Sequence, residues 1–159
     1  MKHREKFGSN SKTIFDYLKN KYPDLIKEGI KYNPRFHSGY IHHFLKNGTS
    51  LWFVIHSDIA KSKQDKDGKW LNTIKDGTRI VEEYIKNADS DYLKDVESEY
   101  RLIFARDNQN ANNNYVFMGL YKKEVPSEEE MKKRGYKFLI YNLISGDVDL
   151  RNIDALTKK

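Results

Sequence analysis

Cysteine is absent from the 159 residues, which excludes disulfides and thiolate metal sites. No apolar run approaches the roughly 20 residues that a membrane-spanning helix requires. The segment Met1 to Lys6 lacks the apolar stretch of a secretion signal. These absences predict a cytoplasmic protein with no membrane partner. Gly48, Gly68, Gly77, Gly119, Gly135 and Gly146 stand alone, mostly at turn-like positions, so there is no glycine-rich phosphate loop. A nucleophile elbow is missing as well. Acyl transfer has no support, and no cofactor is expected.

Aromatic residues are plentiful: 11 Tyr, 8 Phe and 2 Trp supply large buried areas although only 38% of the chain is hydrophobic. A chain of this length fits one domain with a real core. The expected division is a basic, helical section at 1–47, a β-rich core at 50–145 and a polar tail at 147–159.

The net charge of +6 is unevenly placed. Residues 1–64 hold 12 basic and 5 acidic side chains, so the positive excess belongs to the first two-fifths of the chain. A segregated basic region suits a polyanion such as nucleic acid. A solvated basic surface is the plainer alternative.

Two apolar, aromatic-rich runs, Tyr100 to Asp107 and Asn114 to Glu124, flank an Asn-rich turn and read as a hairpin. Strict alternation puts Tyr100, Leu102 and Phe104 opposite to Arg101, Ile103 and Ala105. It likewise puts Tyr115, Phe117, Gly119 and Tyr121 opposite to Val116, Met118 and Leu120. Neither strand has a wholly polar face, so the hairpin should be covered on both sides.

Upstream, residues 1–8 read as a frayed basic leader. Ser9 or Ser11 is the expected cap of a helix carrying Ile14, Phe15, Leu18 and Tyr22. Leu51 to Ser57 reads as a buried strand. Trp70 to Ile74 and Thr78 to Ile85 read as a second hairpin around Asp76-Gly77, although Ile80 and Tyr84 fit a strand or a helix turn equally. Ser127 with Glu130 forms a capping box for a short helix that Gly135 stops. Tyr136 to Ile144 is the last long strand, and Val148, Leu150 and Ile153 could dock the tail.

Candidate chemistry is thin. His37, His42 and His43 cluster in the basic section, but their spacing does not converge three or four ligands, so no metal site is expected. Glu82, Glu83 and Lys86, or Glu97, Glu99 and Arg101, lack the acid–acid–lysine spacing of a metal-dependent nuclease. That activity is the third reading, with loss on changing Glu82 or Glu83 as its signature.

Aromatic rings interleaved with basic residues are more informative, because a π-face stacks on a base while cations hold the backbone. Phosphate contacts are expected from Lys31, Arg35, His37, His42, His43 and Lys46. Trp70 and Tyr84 are candidate base-stacking residues, and Arg79 and Arg106 are candidate edge contacts. Most rings of a small domain are core, and Trp52, inside a continuous apolar run, is expected to be so.

The segments Trp70 to Ile74, Asp76 to Glu82, Tyr100 to Arg106 and Tyr115 to Tyr121 together resemble small β-rich modules of bacterial restriction and defence proteins. The resemblance is to the PUA-like superfamily, which includes the modified-cytosine-reading SRA modules, and spans roughly residues 50–145. It implies a curved, barrel-like sheet with flanking helices that cups one extruded base in its concave face. No pocket residue of the family carries over individually.

The expected fold is α+β: an N-terminal helical section on a strongly bent or barrel-like, mainly antiparallel sheet of five to seven strands. The expected function is non-catalytic nucleic-acid binding, with DNA as the partner and a modified or extruded base as the feature read. The alternative is a small phage or mobile-element protein that binds and inhibits a bacterial defence or nucleic-acid enzyme.

Overall fold

A computed structural model describes residues 1–32, 40–41, 43–56, 70–75, 77–84, 99–107, 114–135 and 137–157. For Tyr40, Ile55, His56, Trp70, Leu71, Asn72, Lys75, Tyr84 and Asp107 the description covers the backbone alone. The strands are β1 (Tyr40–Ile41), β2 (Ser50–His56), β3 (Trp70–Lys75), β4 (Arg79–Tyr84), β5 (Tyr100–Asp107), β6 (Val116–Glu124) and β7 (Lys137–Ser145). Helices among the described residues are α1 (Ser11–Lys21), α2 (Glu128–Arg134) and α3 (Ile153–Thr157), the last preceded by a 3-10 turn, Leu150–Asn152.

All seven strands form one sheet in the order β1-β2-β5-β6-β7-β4-β3. Only the β2–β5 pair is parallel; the other neighbours are antiparallel. Although β3 and β2 stand far apart in that order, they approach each other in space. The sheet is therefore strongly curled into a half-barrel, as expected of an α+β, barrel-like fold.

Strand alternation divides the core in two. The outer face of β2, β5 and β6 presents Leu51, Phe53, Leu102, Phe104, Phe117 and Leu120 to Ile14, Phe15 and Leu18 of α1. The inner face carries Trp52, Val54, Ile80, Ile103, Ala105, Met118, Tyr121, Leu139 and Tyr141. The hairpin of β5 and β6 is thus covered on both sides. Val81, Phe138 and Ile140 form a third cluster under Met131 of α2.

Strict alternation fails in β6, and Gly119 is the reason. Tyr115, Phe117 and Leu120 belong to the outer core, whereas Val116, Met118 and Tyr121 belong to the inner one. The registers of β6 with β5 and with β7 both shift beside Gly119, so the bulge exchanges the faces of the residues that follow. Gly119 has φ 125, and a Cβ there would sit 2.3 Å from the Ser145 carbonyl oxygen. Only glycine allows β7 to end so close.

Two further expectations are corrected. Asn10, rather than Ser9 or Ser11, caps α1: its side-chain oxygen accepts from the backbone N–H of Lys12 at 2.9 Å and of Thr13 at 3.2 Å. The leader is not frayed but stitched to β6. Arg4 and Phe7 N–H donate to the carbonyls of Phe117 and Tyr115, while Tyr115 and Phe117 N–H donate back to Gly8 and Glu5. These bonds satisfy the start of β6 where it would otherwise expose backbone groups.

Ser127 caps α2 as expected, its Oγ accepting from Glu130 N–H at 3.2 Å, but the Glu130 carboxylate accepts from the Ser127 hydroxyl at 3.3 Å rather than from its backbone N–H, and Gly135 closes the helix at φ 83. Val148, Leu150 and Ile153 are buried, and Arg151 pairs with Asp24 at 2.9 Å. Among the described residues, no helix is long and apolar enough to cross a membrane.

Candidate nucleic-acid interface

The inner face of the half-barrel is not purely apolar. Arg101 is fully buried on β5 beside Ile103 and Ala105, with its guanidinium carbon 4.7 Å from the Trp52 ring and 4.3 Å from the Tyr141 ring. Glu82 on β4, two residues beyond the inward Ile80, is only 2% exposed. Lys123, two residues beyond the inward Tyr121 and opposite Tyr141 in the β6–β7 register, has its ammonium pKa lowered by burial and then by the charge of Arg101.

Each of these groups is costly to hold inside a barrel. A guanidinium withdrawn from water needs compensation, and two aromatic faces supply part of it, each about 1–2 kcal/mol. Tyr121 spans the interior, its hydroxyl donating to the Gly77 carbonyl at 2.5 Å. Burial pushes that hydroxyl pKa well up. Trp52 is fully buried, yet its indole N–H meets no acceptor among the described residues.

The described candidate contacts do not form one patch. Lys31 and Lys46 are exposed. His43 is half-buried with φ 49, and its backbone N–H donates to Ser50 Oγ at 3.1 Å. Arg79 is exposed at the start of β4. Arg106 is half-buried, donating to the Ser9 carbonyl at 3.2 Å and lying 4.8 Å from the Tyr115 ring. Lys46 precedes β2, whereas Arg106 pairs with Ile55 near its other end, so most of a seven-residue strand separates them. Arg35, His37 and His42 lie outside the described residues.

Trp70 and Tyr84 do come together in backbone register: they are direct partners across β3 and β4, and Tyr84 is in turn opposite Lys137 of β7. Their side chains lie outside the described residues. The opposite end of β4 is closed by the leader, where His3 packs on Gly77 and Gly146.

Glu82 and Glu83 cannot share a metal as a nuclease pair would. Adjacent strand residues face opposite sides: Glu82 is buried within the barrel, while Glu83 pairs outside with Arg134 at 3.6 Å. Among the described residues, no group of three or more His, Asp or Glu is placed to hold a metal ion.

The group of Arg101, Trp52, Tyr141 and Lys123, and the buried Glu82 on the same inner face, are not among the candidate contacts that the sequence suggests. Their signal is present there: Arg101 opens the inward series that continues with Ile103 and Ala105 in β5, and Glu82 follows inward Ile80 in β4. Partner strands decide which of these residues share the inside of a barrel, and it is the parity reversal at the β6 bulge that turns Lys123 inward.

Residues 12–146 match the family model described as the SET and RING associated domain. The match begins well before the segment in which the resemblance is legible, taking in α1. Among solved structures, the chain is similar to "The 5-Hydroxymethylcytosine-Specific Restriction Enzyme AbaSI". The TM-score is 0.50 at 21% identity, over 82% of this chain and 38% of that one. At that identity the likeness establishes the fold, and the chain spans 38% of that enzyme's length. No curated protein sequence matches the chain. With most of its length covered by the family model, the chain belongs to the SET and RING associated domain family and is a DNA-binding module of it.

Proposed function

We propose that the chain reads a modified base in DNA, taking one extruded nucleotide on the concave side of the curled sheet in a restriction or defence setting. The observation that carries this reading is the buried charge of Arg101 and Glu82 within the half-barrel, with Lys123 beside Arg101. An apolar filling of the same volume would be as stable or more so, so charges kept there point to a ligand.

Extruding a base costs a few kcal/mol in lost stacking and pairing. Stacking on rings and hydrogen bonds to the base edge offset that cost. Trp70 and Tyr84, register partners at one end of the β3–β4 ladder, are the stacking residues of this reading. Lys31, Arg35, His37, His42, His43 and Lys46 hold phosphates in this reading, whereas Arg79, at the leader-covered end of β4, and Arg106, against the outer-core ring of Tyr115, lie away from the stacking pair. The setting of such a module is cytoplasmic. No feature of the described residues favours the partner-blocking alternative.

The test is a binding titration with duplexes that differ at one cytosine: unmodified, 5-methyl and 5-hydroxymethyl, the last being the base for which the similar restriction enzyme is named. A 2-aminopurine beside the target reports unstacking by a fluorescence rise. Selective binding to one modified duplex, with that rise, supports the reading; equal affinity without it overturns it.

A further inference from the structure

We propose that the basic end of α2, with Lys132, Lys133 and Arg134 and the adjoining Lys137, grips the DNA phosphates flanking the base-reading end of the barrel. This rests on the base-reading function above and adds a surface that the uneven charge of the sequence does not reveal, since the second part of the chain is close to neutral.

Position is the first support. Lys137 begins β7 directly opposite Tyr84, which is itself opposite Trp70. The row Trp70–Tyr84–Lys137 therefore marks one end of the barrel, while His3 and the leader cover the end at Gly77. Gly135 turns α2 straight into β7, so the last turn of the helix adjoins that row.

Attachment is the second. Nothing in α2 is fully buried; its apolar contact with Val81, Phe138 and Ile140 is made by Met131. Arg134 then fixes it, lying 4.2 Å over the Phe138 ring and pairing with Glu83 at 3.6 Å. Glu83 is the neighbour of Tyr84, so the basic turn is tethered to the strand that carries the candidate stacking residue. Lys132 and Lys133 are exposed.

Charge is the third. Glu130 borders a shallow cleft of 360 Å³ with Lys133, Arg134 and Phe138. Glu128 and Glu129 lie in the first turn, nearly the whole helix, or about 9 Å of axial rise, from Arg134. The helix dipole favours this separation of acids from bases. Lys133 and Arg134 thus share the cleft with Glu130, Lys132 lies about 100° round the exposed turn from Lys133, and Lys137 follows at the start of β7.

The experiment measures affinity for a duplex with one modified cytosine over a series of salt concentrations, using the full chain and its Lys132→Ala/Lys133→Ala variant. A thermal midpoint equal to the wild type verifies the fold, and Glu130→Gln is a second variant on the same surface. Each lost phosphate contact lowers the steepness of log K against log salt by about 0.9. The inference predicts a drop of about 2 for the double variant, an unchanged ratio between modified and unmodified duplexes, and tighter binding of both by Glu130→Gln. An unchanged slope in the double variant, beside a wild type that discriminates the duplexes, overturns this surface and leaves base reading intact. A wild type that binds neither duplex at low salt overturns both.

Discussion

Arg101 lies over the ring of Tyr141, its guanidinium carbon 4.3 Å from the ring centroid. Trp52 completes the enclosure at 4.7 Å. The strand that supplies Arg101 is the best-packed element of the hairpin, so the charge is held by a rigid scaffold rather than by a loop.

Arg101→Lys keeps the charge and loses the plane. A lysine ammonium cannot cover two rings at once, so the variant should lose about 2 kcal/mol of stability, read by chemical denaturation. Affinity for modified DNA should fall more than affinity for unmodified DNA. Equal losses for both would assign Arg101 to stability alone.

Gly119 and Gly135 separate two kinds of glycine requirement. Gly119→Ala forces a Cβ to within 2.3 Å of the Ser145 carbonyl oxygen and 2.9 Å of Gly146 Cα. The expected loss is about 3 kcal/mol or more. At Gly135, with φ 83 and open space around the site, alanine should cost only about 1 kcal/mol. Similar denaturation midpoints for the two variants would contradict the close β6–β7 crossing.

Asp24 gives a pH signature. The hydrogen bond from Arg151 holds its carboxyl pKa below the ordinary value of 3.8. A depressed folded-state value contributes stability above the unfolded pKa and loses it as pH falls through the folded one. The difference in thermal midpoint between wild type and Asp24→Asn should therefore be largest near neutrality and shrink below pH 4. Both partners are solvent-exposed, so salt should diminish it too. A difference that is constant with pH would refute the pairing.

Much of this fold is legible locally. The cap at Ser127, the turn at Gly77 and the two apolar faces of β5 depend on neighbouring residues, and the structure bears each of them out. The leader is not legible, because its partner Tyr115-Val116-Phe117 lies more than a hundred positions away. Nor is the bulge at Gly119, since one isolated glycine in a strand does not reveal which side the chain will kink toward. The site is legible as a composition of rings and cations. Its inner part is not, because Arg101, Glu82 and Lys123 come from three strands whose order, β5-β6-β7-β4, is a tertiary fact.

The most direct test of base reading is competition between duplexes identical except for one modified cytosine, at fixed salt. Reading of a modified base predicts at least tenfold stronger competition by one modified duplex, reduced toward unity by Arg101→Lys. Equal competition by modified and unmodified duplexes would contradict it.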